Sequence, residues 1–127
     1  MNVVDSSGWL EYFVDGPNAK FFAAPIESTT ELIVPAITVY EVYKRTTQLR
    51  GRDSAVRVAA AMQRGMVADL TADLAIASAE VSIGEGLPLA DSIILATARA
   101  YGASLWTQDA DFAKIGGVKY VARRVPS

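Results

Sequence analysis

Short apolar runs alternate along this chain with longer stretches whose apolar residues recur at helical spacing. NVV (2–4), ELIVP (31–35), MVADL (66–70), ASLWT (103–107) and VKYVA (118–122) read as strands, the last at a sheet edge. Between them, SSGWLEYFVDG (6–16) reads as a helix with Ser6 or Asp5 as its cap and Trp9, Leu10, Phe13 and Val14 on a buried face. Gly16-Pro17 breaks it, and residues 18–30 read as mostly helical, with Pro25 kinking the helix or starting a second piece. Helices follow at 36–51, at 52–65 (capped by Asp53 or Ser54 and ended by Gly65) and at 71–86. Another opens with Pro88 in its first turn and continues to Gly102; FAKIGG (112–117) reads as a helical turn, and Arg123, Arg124 and Pro126-Ser127 as a frayed tail. This alternation predicts an α/β domain, one unit over residues 1–127, with a parallel sheet covered by helices on both faces.

Composition narrows the chemistry more than the fold. With 51% hydrophobic and 20% charged residues the chain suits a globular domain. No apolar run reaches the length of a membrane span, and the first residues lack the pattern of a signal peptide, so the expected location is the cytoplasm. The absence of both His and Cys excludes the usual zinc, haem and iron–sulfur ligand sets and the His-dependent nucleophile systems. Hydrolysis by this chain has to rest on carboxylates, hydroxyls, Lys or Arg, most simply around a hard cation with oxygen ligands. Net charge is −2, yet six of the twelve basic residues (Lys44, Arg45, Arg50, Arg52, Arg57 and Arg64) lie in a span whose only acid is Asp53.

The acids are placed where such a site would be. A helix from Asp91 to Tyr101 runs roughly 15 Å at about 1.5 Å per residue. After Gly102, about five or six strand residues return roughly 17–20 Å, so Asp109 is expected level with Asp91. Asp5 follows the first strand and Glu41 lies near the start of the long helix at 36–51, so four acids at helix starts converge on the rim where strands end. Each also has an ordinary role: Asp5 as an N-cap, Glu41 in a capping box with Thr38, Asp91 beside a helix dipole, Asp109 and Asp111 in a turn. Crowded carboxylates repel unless a cation joins them, which favours Mg²⁺ or Mn²⁺.

The motifs VVDSS (3–7), VYEV (39–42), LPLADSIILATA (87–98) and TQDADF (107–112) together resemble the PIN-domain family, and within it the VapC-type toxin ribonucleases of toxin–antitoxin pairs. The resemblance runs almost the full length of the chain. It implies a parallel sheet ordered 3-2-1-4-5, metal ligands at Asp5, Glu41, Asp91 and Asp109, support from Ser6 and Thr107, and an accessory place for Asp111. It further implies a metal-dependent endoribonuclease acting on structured RNA such as tRNA or rRNA through metal-activated water, a VapB-like antitoxin whose C-terminal segment covers the site, and a homodimer.

Lys44, Arg45, Arg50 and Arg52 are the candidates for the RNA backbone. Tyr40 and Tyr43 fit core or interface better than base stacking, and Trp9, Tyr12, Phe13, Phe21 and Phe22 fit either core or an antitoxin groove. The competing readings are a non-catalytic regulatory protein acting through an antitoxin–DNA complex and a phosphotransfer domain. The second lacks the paired Asp motif.

Overall fold

Along the central strands, successive side chains face two apolar layers on opposite sides of the sheet. The computed structural model describes residues 1–125. Strands β1 (Asn2–Val4), β2 (Leu32–Pro35), β3 (Met66–Ala68), β4 (Ser104–Thr107) and β5 (Lys119–Tyr120) form one parallel sheet in the order β3-β2-β1-β4-β5. The helices are α1 (Ser6–Phe13), α2 (Ala19–Glu27), α3 (Ala36–Arg50), α4 (Arg52–Met62), α5 (Ala72–Glu85) and α6 (Leu89–Ala100). Val3, Ile33 and Leu105 point into a layer with Leu87, Ile94, Leu95, Ala98 and Phe112. Val4, Leu32 and Val34 point into the opposite layer with Trp9, Phe22, Ile26, Val42 and Met62. Among the described residues, no single helix is long and apolar enough to cross a membrane.

Strand order reverses between β1 and β4, which pair in register from Asn2–Ser104 to Val4–Trp106. The chains leaving these two strands diverge into α1 on one side and the Gln108–Phe112 turn on the other, opening the crevice where open α/β sheets bind ligands. The first turn of α1 lies directly on the sheet. A Cβ at Gly8 would sit 2.6 Å from two ring carbons of Phe22 and 2.7 Å from Val4 Cγ1. Gly8→Ala is therefore expected to destabilise the protein by about 1–3 kcal/mol, the usual cost of overpacking. The check is a lower urea midpoint at unchanged m-value; an unchanged midpoint would show that the first turn is free to lift.

Several local expectations need correcting. Helix α1 stops at Phe13, because Asp15 takes a left-handed backbone (φ 53), and Val14 is exposed, not on a buried face. Pro25 does not start a second piece but lies within one helix, α2. Thr38 and Glu41 do not form a capping box, since β2 runs without a loop into α3 and Pro35 takes the cap position. Gly51, at φ 89, precedes α4 in place of an Asp53 or Ser54 cap. The helical turn lies at Ala110–Phe112, ahead of most of FAKIGG. Tyr40 is 59% exposed and so belongs to no core. Arg124 is not frayed: its Nε donates to Asn18 Oδ1 at 2.9 Å and its Nη2 to the Pro17 carbonyl at 2.7 Å. Pro126 and Ser127, the end of the expected tail, lie outside the described residues.

Candidate metal centre

Asp5 is both a helix cap and a buried acid. It leaves β1 with its backbone N–H donating to the Trp106 carbonyl at 3.1 Å, and its side chain is 2% exposed. Three groups orient the carboxylate. Ser7 Oγ donates to both oxygens (2.8 and 3.0 Å), the Gly8 N–H to Oδ1 (3.1 Å) and Thr107 Oγ1 to Oδ2 (2.8 Å). Thr107 also accepts from the Asp109 N–H at 2.9 Å, so one hydroxyl at the end of β4 ties the two acidic arms together.

Asp91 stands in the first turn of α6, whose residues Ser92 to Ala98 are all buried, so its backbone is anchored by the core. Asp109 accepts the Asp111 N–H at 2.9 Å, which closes the Ala110–Phe112 turn, and the fully buried Phe112 pins that turn to the core beneath. As a result, Asp91, Asp109 and Asp111 each offer a carboxylate oxygen, and these oxygens lie within 4.8 Å of one another. Among the described residues this is the group with the spacing of a metal site; Asp5 and Glu41 fall outside it. Asp111, expected as an accessory, is thus one of the three acids of this candidate group. Glu41 lies in the second turn of α3, where its Oε1 accepts Ser6 Oγ at 2.5 Å and so connects to the residue after Asp5.

Burial pushes the Asp5 carboxyl up to about 6, against the lowering pull of hydrogen bonds from Ser7, Thr107 and Gly8 and with a further push from the Asp109 charge. Asp91 is raised to about 7, first by burial, then by the charge of Asp109, a hydrogen bond with Asp111 and the charges of Asp5 and Asp111. Such a cluster resists full ionisation on its own, and a divalent cation offsets the repulsion. The donors are all carboxylate oxygens, which fit Mg²⁺ or Mn²⁺ and not a thiolate- or imidazole-seeking metal.

The basic candidates divide. Lys44 and Arg45 are exposed on α3 within about one turn of Glu41, and Lys44 Nζ lies 5.8 Å from the Tyr40 ring centroid. Arg50, the last residue of α3, stands roughly 14 Å along the helix from Glu41 at about 1.5 Å per residue, and Arg52 opens α4 beyond Gly51. Arg50 lines a groove with Leu10, Phe13, Val14 and Leu49. Of the aromatic candidates, Trp9 and Phe22 are core, while Tyr12, Phe13 and Phe21 are half-buried. Sequence reasoning missed Ser7 and Gln108, whose places beside an acid in the VVDSS and TQDADF motifs were usable signals, and also Asn18, which had none.

The PIN-domain family model matches residues 3–118. The chain belongs to the PIN-domain family. No curated protein matches the sequence. Among solved structures, this PIN domain is similar to a chain of a toxin–antitoxin complex from Klebsiella pneumoniae (TM-score 0.77, 26% identity, covering 93% of this chain and 95% of that one). It is also similar in fold to VapC20 of Mycobacterium tuberculosis, described as a sarcin-ricin loop cleaving toxin (TM-score 0.78, 20% identity, 94% and 98% covered). A third is DNA-bound VapBC from Salmonella typhimurium (TM-score 0.72, 16% identity, 96% and 98% covered).

Proposed function

We propose that this PIN domain is a divalent-metal-dependent endoribonuclease, the toxin of a VapBC-type toxin–antitoxin pair, cutting structured RNA such as tRNA or rRNA. The observation that carries the reading is the convergence of Asp91, Asp109 and Asp111 beside the buried Asp5, at the switch point of a PIN fold. In this reading Asp91, Asp109 and Asp111 hold the ion, and Asp5 adds negative charge from below. Glu41, braced by Ser6, closes the rim from α3. Asp91, Asp109 and Asp111 would hold a divalent ion there, which would supply Lewis-acid chemistry: a more acidic water and compensation of charge on the scissile phosphate. In this reading Lys44 and Arg45, exposed within about one turn of Glu41, take the RNA backbone.

Two surfaces support the partners in this reading. The groove lined by Leu10, Phe13, Val14, Leu49 and Val58 carries Arg50 and Arg57 among its lining residues, which suits an amphipathic antitoxin segment with acidic side chains. On α5, Ile76 and Ile83 are 62% and 86% exposed and seven residues apart on one face, which suits self-association as a homodimer.

The test is cleavage of a structured RNA by the purified protein with Mn²⁺, loss of cleavage in excess EDTA, and growth arrest on expression that Asp5→Ala relieves. Cleavage that persists in EDTA overturns the metal-dependent reading. No cleavage at all, with growth arrest unaffected by Asp5→Ala, favours the regulatory alternative.

A further inference from the structure

We infer that Gln108 and Asn18 are positioning residues that hold the Asp5 and Asp109 arms of the metal centre at a fixed separation; the inference rests on the function proposed above. Neither side chain is among the groups bonded to a carboxylate of the cluster. Both are buried, at 3% and 2% exposed, and each makes its side-chain hydrogen bonds within the protein. Buried amides are costly unless their hydrogen bonds are met, and here the partners lead to the site.

Gln108 stands between Thr107, which donates to Asp5, and Asp109 itself. Its Nε2 reaches the carbonyl of Ser7 at 3.4 Å, and Ser7 is the residue whose hydroxyl holds both oxygens of Asp5. One side chain therefore spans from the end of β4 to the first turn of α1, across the crevice that separates the two acidic arms. Asn18 sets its orientation. Asn18 Nδ2 donates to Gln108 Oε1 at 3.0 Å and to the Ala122 carbonyl at 2.9 Å, which leaves the Gln108 amide nitrogen facing Ser7. Asn18 is fixed in turn by its N–H to Glu11 Oε2 at 2.7 Å and by Arg124, which closes the chain of bonds from outside. The segment beyond β5 is thus linked to the acid beside the candidate group: Arg124 to Asn18, Asn18 to Gln108, Gln108 to Ser7, Ser7 to Asp5, whose partner Thr107 also accepts the Asp109 N–H.

A metal centre tolerates little slack in its oxygens, and loss of a group that orients a ligand commonly lowers metal affinity or activity by about 10–100-fold. Gln108→Met keeps length and apolar bulk while removing the donor and the strong acceptor. Expected for this variant are Mn²⁺ binding by titration calorimetry weakened by about tenfold or more, kcat on a hairpin RNA lowered to a similar degree, and KM little changed. A merely structural role would lower the melting temperature while the folded fraction bound Mn²⁺ as wild type does, and that result overturns the inference. If Gln108→Met does not fold, the exposed variant Arg124→Gln decides: Mn²⁺ binding weakened by about two- to threefold supports the relay, and wild-type binding overturns it. Wild-type protein run in parallel separates the two claims. If wild type fails to bind Mn²⁺, the proposed function falls and takes the relay with it; if wild type binds and the variants match it, the relay alone falls.

Discussion

Asp91→Asn is expected to reduce RNA cleavage by on the order of a thousandfold while raising the melting temperature of the metal-free protein. The first effect follows from charge. Asp91 offers an oxygen within 4.8 Å of those of Asp109 and Asp111. One unit charge about 4 Å from another is worth about 4 kcal/mol at an effective dielectric of about 20, which is close to three orders of magnitude in rate if it is lost only where the ion acts. The second effect follows from the same crowding seen without a cation. The Asp91 carboxyl is pushed up to about 7 by burial and by Asp109, so ionising it at neutral pH opposes folding. An amide at the same position carries no charge and can donate to Asp111, where the acid must share a proton. Activity and stability therefore move in opposite directions. The measurements are initial rates with Mn²⁺ and calorimetric melting in EDTA. Full activity, or a variant that melts well below wild type in EDTA, would remove Asp91 from the site.

How much of this was legible in the sequence depends on how local each signal was. β1, β2 and β4 were readable because their apolar runs are bracketed by polar or turn residues, and the level return of Asp109 toward Asp91 followed from helix and strand rise alone. The entry to α3 was misread because Thr38 and Glu41 have capping-box spacing, whereas the strand pairing of Pro35 with Ala68 delivers the chain directly into the helix. Sheet geometry overrode a local motif there. Asp111 was ranked below Asp109 because no spacing rule distinguishes two acids in one turn; what does so is Phe112, whose burial rotates the turn to face α6. The pairing of Asn18 with Gln108 was invisible for a different reason, although Gln108 itself lies in the TQDADF motif. They are 90 residues apart, and a bond at that separation leaves no pattern in either neighbourhood. Local periodicity reaches the scaffold and the acids on it, but not the polar contacts that fix one arm of the site against another.

Metal-free protein is expected to lose stability as pH rises from 5 to 8, opposite to ordinary acid denaturation. Asp5 and Asp91 titrate near 3.8 when unconstrained, but at about 6 and about 7 in the fold. Between those values the native state binds more protons than the unfolded chain, so the unfolding free energy falls as pH increases. The stabilisation is fully present below 3.8 and disappears as pH climbs through the folded values. For buried Asp5 the shift corresponds to about 3 kcal/mol. Asp91 is partly exposed, so solvent screening makes its share smaller. A divalent cation should reverse the trend, because it binds the ionised carboxylates and protons compete with it. At a hundred times its dissociation constant an ion adds about 2.7 kcal/mol, so excess Mn²⁺ should raise the melting temperature clearly at pH 8 and hardly at pH 5. Melting curves at both pH values, in EDTA and in Mn²⁺, provide the check, with Asp5→Asn expected to flatten the EDTA profile. An EDTA profile that rises with pH would show that Asp5 and Asp91 are not crowded in the fold, and an Mn²⁺ shift equal at the two pH values would remove Asp91 from a cation site.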